Sequence, residues 1–524
     1  MFTKRRKVMC KILWVGTIVC FMGFMFTIPC SAQKVKAPKG EIVVVLADTF
    51  CMTGGDCHTS NGVGGVTITT LIHESLIRKD QKGTVLPALA KSWEISKDGL
   101  SMKFTLNERA KFHNGEPVTA NDVKFSIERV LRPELKYFVG LTLKNRLDRI
   151  EVMDDHHITI YFKAPYPSFL DICGETFGIV PKAYVEKVGD AEFAKHPIGA
   201  GPFKWVDYQQ DVFVKAEAVE DHYRKVPAVK TVTIKYITEP ATIVAMLKAG
   251  EADVVQLPLS NIKEVQDNPK LKVVWSKFVA ARSIAFCDLM HPNESSPFHD
   301  ARVRQAVSYA INRKAICEKL LYGSAELWGD IFAPYNPGVD PKLMPDPYDP
   351  EKAKALLREA GYPNGFDTTF TYGFLGDKIE AQAMAADLTK VGIRSKLVEL
   401  EFGTYIKNMN QKTFRGLTRN SNPWWGGRKY PGAPFEAVFS QKSIWALSTT
   451  PETEAVWEKI SILTDEKEIA AQAKVLRRAW KELDIRYMLW AYHQPFGLSQ
   501  KVKYYENVPG RSHTSRLEYL ELKD

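Results

Sequence analysis

The chain has 524 residues, 45% of them apolar and 25% charged: an ordinary globular composition, but too long for a single core. Two or three lobes are therefore expected. The net charge is +10; residues 1–32 carry five cations and no acid, and the +5 of the rest is spread without a Lys/Arg block, which argues against nucleic acid as a partner.

Lys4, Arg5, Arg6, Lys7 and Lys11 open the chain, and an uncharged apolar run follows from Ile12 to Ile28. Cys30-Ser31-Ala32 then places small residues where a signal peptidase cuts. The stretch reads as a secretory signal cleaved after Ala32, with an uncleaved anchor and a lipidated Cys30 as rivals. Arg5-Arg6 also invites a twin-arginine reading, but no cofactor motif accompanies it. No second long apolar segment follows, so a soluble periplasmic protein is expected.

Cys51, Cys57, Cys173, Cys287 and Cys317 remain after cleavage, and an exported chain can hold disulfides. Cys51 and Cys57 flank Thr53-Gly54-Gly55, so a bridge or free thiols are the first readings there. A soft metal site from Cys51, Met52, Cys57 and His58 is the functional rival.

In chain order, Glu41 to Ala47 is a β-branched apolar run and predicts a buried strand. It opens into a Gly-, Thr- and Cys-rich loop from Asp48 to Gly65, as strands that line a cleft do in α/β folds. Gly62-Val63-Gly64-Gly65 lacks the third glycine and the acid of a dinucleotide fingerprint. Helical spacing is expected from Thr67 to Leu76. Asp98-Gly99 predicts a hairpin turn between Trp93-Glu94-Ile95 and the alternating strand Leu100 to Leu106. Thr119, with Asp122 three residues on, predicts the start of a helix.

These residues carry a family likeness. Ser92-Trp93-Glu94, Asp98-Gly99, Ala110-Lys111-Phe112-His113-Asn114-Gly115 and Pro117-Val118-Thr119-Ala120 resemble the signature of bacterial extracellular solute-binding proteins of the peptide/nickel type (family 5). These are the dipeptide and oligopeptide receptors of ABC importers. The likeness continues through His196 to Phe203, Phe298 to Arg313 and Asp349 to Phe366, and so covers nearly the whole mature chain.

The later pieces also read physically. Val303, Ala306, Val307, Ala310 and Ile311 fall at helical spacing behind a capping Asp300, and Arg302 and Arg304 read as a solvated face. Pro350 and Gly361 bracket a further helix. Strands at Val229 to Ile237 and Asp253 to Leu257 enclose a helix at Pro240 to Ala249, and the rhythm returns at Phe370 to Leu400. That βαβ pattern predicts largely parallel sheets.

The resemblance implies an α/β, periplasmic binding protein-like fold: two α/β lobes joined by a two-strand hinge, with an additional hairpin-rich subdomain. Its implied divisions are 33–77, 199–286 and 490–524 for lobe I, 78–198 for the subdomain and 287–489 for lobe II. The hinge is expected near Ser283 to Cys287 and Leu489 to His493. The implied partners are a small solute and the membrane permease, with the receptor a monomer.

No zinc helix, nucleophile elbow or phosphate loop occurs, so no enzyme and no cofactor is expected. His156-His157 reads as a solvated turn. Glu399 and Glu401 read as one side of a strand, paired to neighbours rather than engaged in acid–base work. The segment Arg419 to Pro434 is the candidate binding loop. It sets Trp424 and Trp425 beside Gly426-Gly427, with Arg428 and Tyr430 after them. The tryptophans either pack inward or offer flat faces to a ligand.

In the peptide-binding relatives this loop resembles a tryptophan followed closely by an aspartate, which pairs with the ligand's ammonium. Here Gly427 or Arg428 holds that place, and no acid occurs from Arg415 to Pro434. Arg282, at the hinge strand, stands where the family often has an aromatic. If Arg282, Arg419 and Arg428 converge, the cleft suits an organic anion, with Phe50, Trp424, Trp425, Trp490 and Tyr492 as walls. A plain peptide and a metal or metal chelate are the alternative ligands, the metal held by Cys51, Met52, Cys57, His58 or His493.

Overall fold

The computed structural model describes residues 37–47, 54–59, 63–80, 84–135, 137–174, 177–332, 334, 336–373, 378–423, 446–483, 486–506 and 516–523. An eleven-stranded mixed sheet runs through these residues. Its order is Ile393–Glu399, Phe366–Tyr372, Leu417–Pro423, Leu271–Phe286, Arg486–Ser499, Val254–Gln256, Lys39–Leu46, Val229–Tyr236, Phe213–Ala218 and Phe203–Gln209. Ala325–Leu327 joins the edge of Arg486–Ser499. Parallel pairing is confined to Lys39–Leu46 with its two neighbours and Phe366–Tyr372 with its two. The expectation of largely parallel sheets is therefore corrected. The βαβ units are real, but the two long strands between them, and the hairpin at the far edge, run antiparallel.

Those two long strands tie the halves of the molecule together. Leu271–Phe286 spans 16 residues and Arg486–Ser499 spans 14, which at about 3.3 Å per residue is roughly 50 Å of chain. Their first stretch pairs Leu271 to Ser276 with Ser499 to Gln494, and their second pairs Ala280 to Ala285 with Tyr492 to Arg486. A bulge separates the two stretches.

Each half has its own core. In one, Ile42, Val44 and Leu46 alternate inward from their strand and meet Val232, Ile234, Val254, Phe496 and Leu498. In the other, Ile284 and Phe286 meet Val303, Val307, Phe370, Met384 and Leu388. The flanking helices start where the sequence signals say. Asp300 accepts from the Arg302 amide, and Asp349, before Pro350, accepts from the Lys352 amide. Three details differ from expectation. The helix after the Gly-rich loop is Val63–Ile72, so Gly64 and Gly65 lie in its first turn. Arg304 is buried and donates to the carbonyls of Phe298 and His299. Glu401 caps the helix Phe402–Gln411 instead of lying in a strand.

The hairpin-rich stretch is a separate four-stranded antiparallel sheet, ordered Ala90–Ile95, Ser101–Leu106, His157–Phe162 and Leu147–Asp154. Gly99 takes φ +70 at the expected turn, where a side chain would be strained. The helix Ala120–Val130 begins with the Thr119/Asp122 capping box. The His156-His157 turn is held by Asp154, which accepts from both backbone amides.

Candidate functional site

Arg282 and Tyr492 lie at the strand crossing. The Arg282 guanidinium sits 4.8 Å from the centre of the Tyr492 ring, and Arg282 is only 6% exposed. Register explains the meeting. Arg282 is opposite Trp490 and Ala280 is opposite Tyr492, so alternate positions bring Arg282 and Tyr492 to one side of the sheet. An arginine taken out of water over an aromatic face gains cation–π attraction and keeps its N–H fork in the plane beyond the ring.

The other predicted residues divide. Arg419 is opposite Ile284, on the face that the helix Lys378–Lys390 covers. Its Nε donates to Glu380 at 3.0 Å, with both side chains buried. The guanidinium is thus tied within its own half of the molecule. Trp490, opposite Arg282 and so on the same side of the sheet, is fully buried in that core and presents no exposed face as a cleft wall. Phe50, Trp424, Trp425, Gly427, Arg428 and Cys51 lie outside the described residues, as does the stretch 1–32.

Two groups at the crossing were not read as groups from the sequence, although His493 falls in the expected hinge stretch. Gln256 accepts from the Ala47 amide at 3.0 Å and its own amide donates to Gln494 at 3.3 Å. These bonds tie the exits of three strands where the Gly-rich loop begins. Next to them, the Phe278 ring meets Trp328 and His493 edge-on, with centroids 5.6 and 5.1 Å apart. No local spacing announces either group, because the partners come from three or more distant segments.

The described part of the Gly-rich loop, residues 54–59, bears on the metal and disulfide readings. Among the described residues, Cys57, Cys173, Cys287 and Cys317 are buried free thiols, which is the free-thiol reading for Cys57. Asp56, Cys57 and His58 do cluster, with donor atoms within 4.8 Å of one another. Their donors are already engaged. Arg129, from the helix Ala120–Val130, donates from Nη1 and Nη2 to the two Asp56 oxygens at 2.9 and 2.5 Å. Arg129 Nη1 also lies 2.9 Å from His58 Nδ1. A guanidinium only donates, so Nδ1 accepts and the proton sits on Nε2, which donates to the Gly178 carbonyl at 2.8 Å.

Electrostatics agree with that assignment. Burial, reinforced by Arg129, pulls His58 down to about 3 and keeps it neutral. Burial pushes Asp56 up, but its bonds and attraction to Arg129 outweigh that, and the net shift is downward. Burial, reinforced by Asp56, raises the Cys57 thiol well above its ordinary value, so it is no thiolate ligand. Arg129 is the cation of this cluster, and a divalent ion would compete for the same lone pairs.

Two long strands running between two sheet-based halves, with a third subdomain alongside, are the architecture of a periplasmic binding protein. The matches with known proteins agree. The model of bacterial extracellular solute-binding proteins, family 5, matches residues 84–442. Heme-binding protein A of Haemophilus influenzae is 32% identical over 62% of this chain and 64% of its own length. Glutathione-binding protein GsiB of Pectobacterium atrosepticum is 30% identical over 71% of each chain. The solved structure of the ABC transporter-associated periplasmic binding protein DppA from Helicobacter pylori, in complex with the peptide STSA, superposes with a TM-score of 0.81. That match covers 93% of this chain and 99% of the other at 24% identity, and shows the fold.

The chain belongs to the family 5 extracellular solute-binding proteins. It is a substrate-binding protein of the type that serves ABC importers, and not an enzyme.

Proposed function

We propose that this protein captures a small organic anion, one carrying a carboxylate, in a cleft between its two lobes and delivers it to a membrane permease. The observation that carries this reading is Arg282, buried at the strand crossing with its guanidinium over Tyr492. The guanidinium fork matches a carboxylate bidentately, and the bond is strongest in a dry cleft. The loop from Arg415 to Pro434 contains no acid to meet the ammonium of a peptide, and its Trp424, Trp425, Gly427 and Arg428 complete the proposed site with Phe50. Arg419 is the weaker member, given its bond to Glu380. Matched relatives are named for heme, glutathione, nickel and di/tripeptides; of these, heme bears carboxylates without an ammonium group, as the proposed ligand does.

The proposed lobes are 33–77 with 199–286 and 490–524, and 287–489, with 78–198 as the subdomain. The two long strands serve as the hinge, and a ligand touching both lobes favours the closed state. Export to the periplasm by the N-terminal signal, cleavage after Ala32 and action as a monomer complete the proposal. Among the described residues, no helix is long and apolar enough to cross a membrane.

The test is isothermal titration of the purified protein against panels of carboxylates and of di- and tripeptides, beside mass spectrometry of what co-purifies. Binding of carboxylates that lack an ammonium group is expected. Tight dipeptide binding with no response to such carboxylates overturns the anion reading, and a stoichiometric bound metal would favour a chelate carrier.

A further inference from the structure

The strand Leu271–Phe286 does not cross between the halves as an unbroken ladder. Its pairing with Arg486–Ser499 stops at Ser276 opposite Gln494 and resumes at Ala280 opposite Tyr492. Three residues, Lys277, Phe278 and Val279, thus face the single residue His493. Phe278 takes φ +54, in the left-handed region where an aromatic side chain is rare. Such a backbone persists only where its surroundings hold it.

The surroundings are specific. The Phe278 amide donates to His493 Nδ1 at 3.0 Å. The Phe278 ring packs edge-on against the imidazole and against Trp328. His493 is fixed in turn, because its own amide donates to the Ser324 carbonyl at 2.6 Å. Its Nε2 lies 3.6 Å from Glu326, on the short strand Ala325–Leu327. Since Nδ1 accepts, the ring proton is on Nε2.

We propose that His493 is the positioning residue of the hinge: its unprotonated Nδ1 holds the left-handed bulge at Phe278, and the held bulge sets the angle at which the lobes close. This rests on the hinge-closure reading above, though not on the identity of the ligand. A proton added at Nδ1 sets two N–H donors against each other and removes the acceptor that holds Phe278. The charged groups facing the ring are Glu326, which favours the added proton, and Lys277, which opposes it. Burial, the largest influence, keeps the ring below its ordinary value, so the acceptor is present at neutral pH and is lost only on acidification.

The experiment uses the full chain without ligand, so a failure of the anion reading leaves it untouched. Hydrogen exchange reports protection at the Phe278 amide, and small-angle scattering reports the spread of the lobes, at about pH 7.5 and about pH 5. His493→Asn puts an amide oxygen where Nδ1 stood, and His493→Gln puts its amide nearer the place of Nε2. In the unaltered protein, protection is expected to fall and the scattering profile to change on acidification. His493→Asn should keep the neutral-pH protection and profile and lose that pH response. His493→Gln and His493→Ala should lose about tenfold of the protection at either pH. Unchanged Phe278 protection in His493→Ala, or an Asn variant as impaired as the Ala variant, overturns the proposal. Should the variants not fold, 15N-histidine spectra of the unaltered protein decide. A proton on Nδ1 of His493 at neutral pH overturns the assignment, and a proton on Nε2 upholds it.

Discussion

The base of the molecule, where the hairpin-rich stretch packs against the segments around Asp56, Glu74 and Glu518, and the strand crossing both bury arginines, but in different company. At the base every named guanidinium meets carboxylates. Arg129 is bound to Asp56 and Asp190. Arg78 and Arg224 share Glu74 and Glu518, at 2.6 to 3.3 Å. At the crossing, Arg282 lies over the face of Tyr492. The contrast separates two uses of one side chain. Charges matched within the protein fix architecture, because removing either partner strands the other in low dielectric. A guanidinium laid on a ring gains from its flat face as well, and under the proposed function Arg282 also meets the ligand's carboxylate.

The largest expected effect breaks the base. Arg129→Met leaves Asp56 buried without its cation and His58 Nδ1 without its donor. Loss of a buried ion-pair partner of this kind costs about 3–5 kcal/mol. The urea midpoint should fall accordingly, and Arg129→Lys, which lacks the bidentate fork, should fall between the two. A midpoint unchanged by Arg129→Met would mean that the loop at Asp56 is not anchored as described.

The second effect is a pH limb. Burial pushes Glu74 up, but Arg224, Arg78 and His222 outweigh it and hold its carboxyl down at about 2, against an ordinary 4.5. A folded value below the unfolded one means the stabilisation is complete above about pH 4.5. It drains away as pH falls from there toward about 2. The shift corresponds to about 3 kcal/mol. Stability measured against pH should therefore drop steeply over that window, and Glu74→Gln should flatten the limb while lowering stability at neutral pH.

The third concerns ligand affinity and tests the crossing side of the contrast. Arg282→Met should weaken carboxylate binding by about 10- to 100-fold, the range for a charge-assisted hydrogen-bonding group. Arg419→Met should act chiefly on stability, because it strands the buried Glu380. Titration and thermal melting of both variants decide. Equal losses of affinity would return Arg419 to the binding site.

The same contrast explains what the sequence made legible. Several signals that act over a few residues are borne out, the Thr119/Asp122 capping box, the Asp98-Gly99 turn, Asp300 and Pro350 at helix starts, whereas the cap at Glu401 went unread. Each depends on neighbours in the chain. The family likeness placed Arg282 at a strand between the lobes for the same reason, since a run of matched positions keeps its order. Partners distant in sequence left no such trace. Glu380 is 39 residues from Arg419, and Asp56 is 73 from Arg129. Composition shows only that arginines and acids both exist. Trp490 illustrates the limit on apolar residues: a tryptophan in a hinge strand has the same identity whether it lines a cleft or fills a core. The mixed sheet was hidden too, because strand periodicity carries no direction.

The smallest effect sharpens the contrast within a single helix. Arg302 and Arg304 stand two residues apart and were expected to share a solvated face. The Arg302 side chain is 48% exposed and pairs with Asp300, whereas Arg304 is 7% exposed. An exposed pair gains little, because water solvates both charges when they separate. Arg302→Ala should therefore leave stability nearly unchanged, any small loss including the contact with the Glu359 carbonyl. Arg304→Ala should cost more, about 1–3 kcal/mol, since it leaves the Phe298 and His299 carbonyls without a buried charged donor. Neither should alter ligand affinity. Melting curves of the two variants compare one side chain at two positions of a single helix. If they prove equal, it is burial and the partner rather than the residue type that has been misjudged, and the distinction drawn between Arg129 and Arg282 would weaken with it.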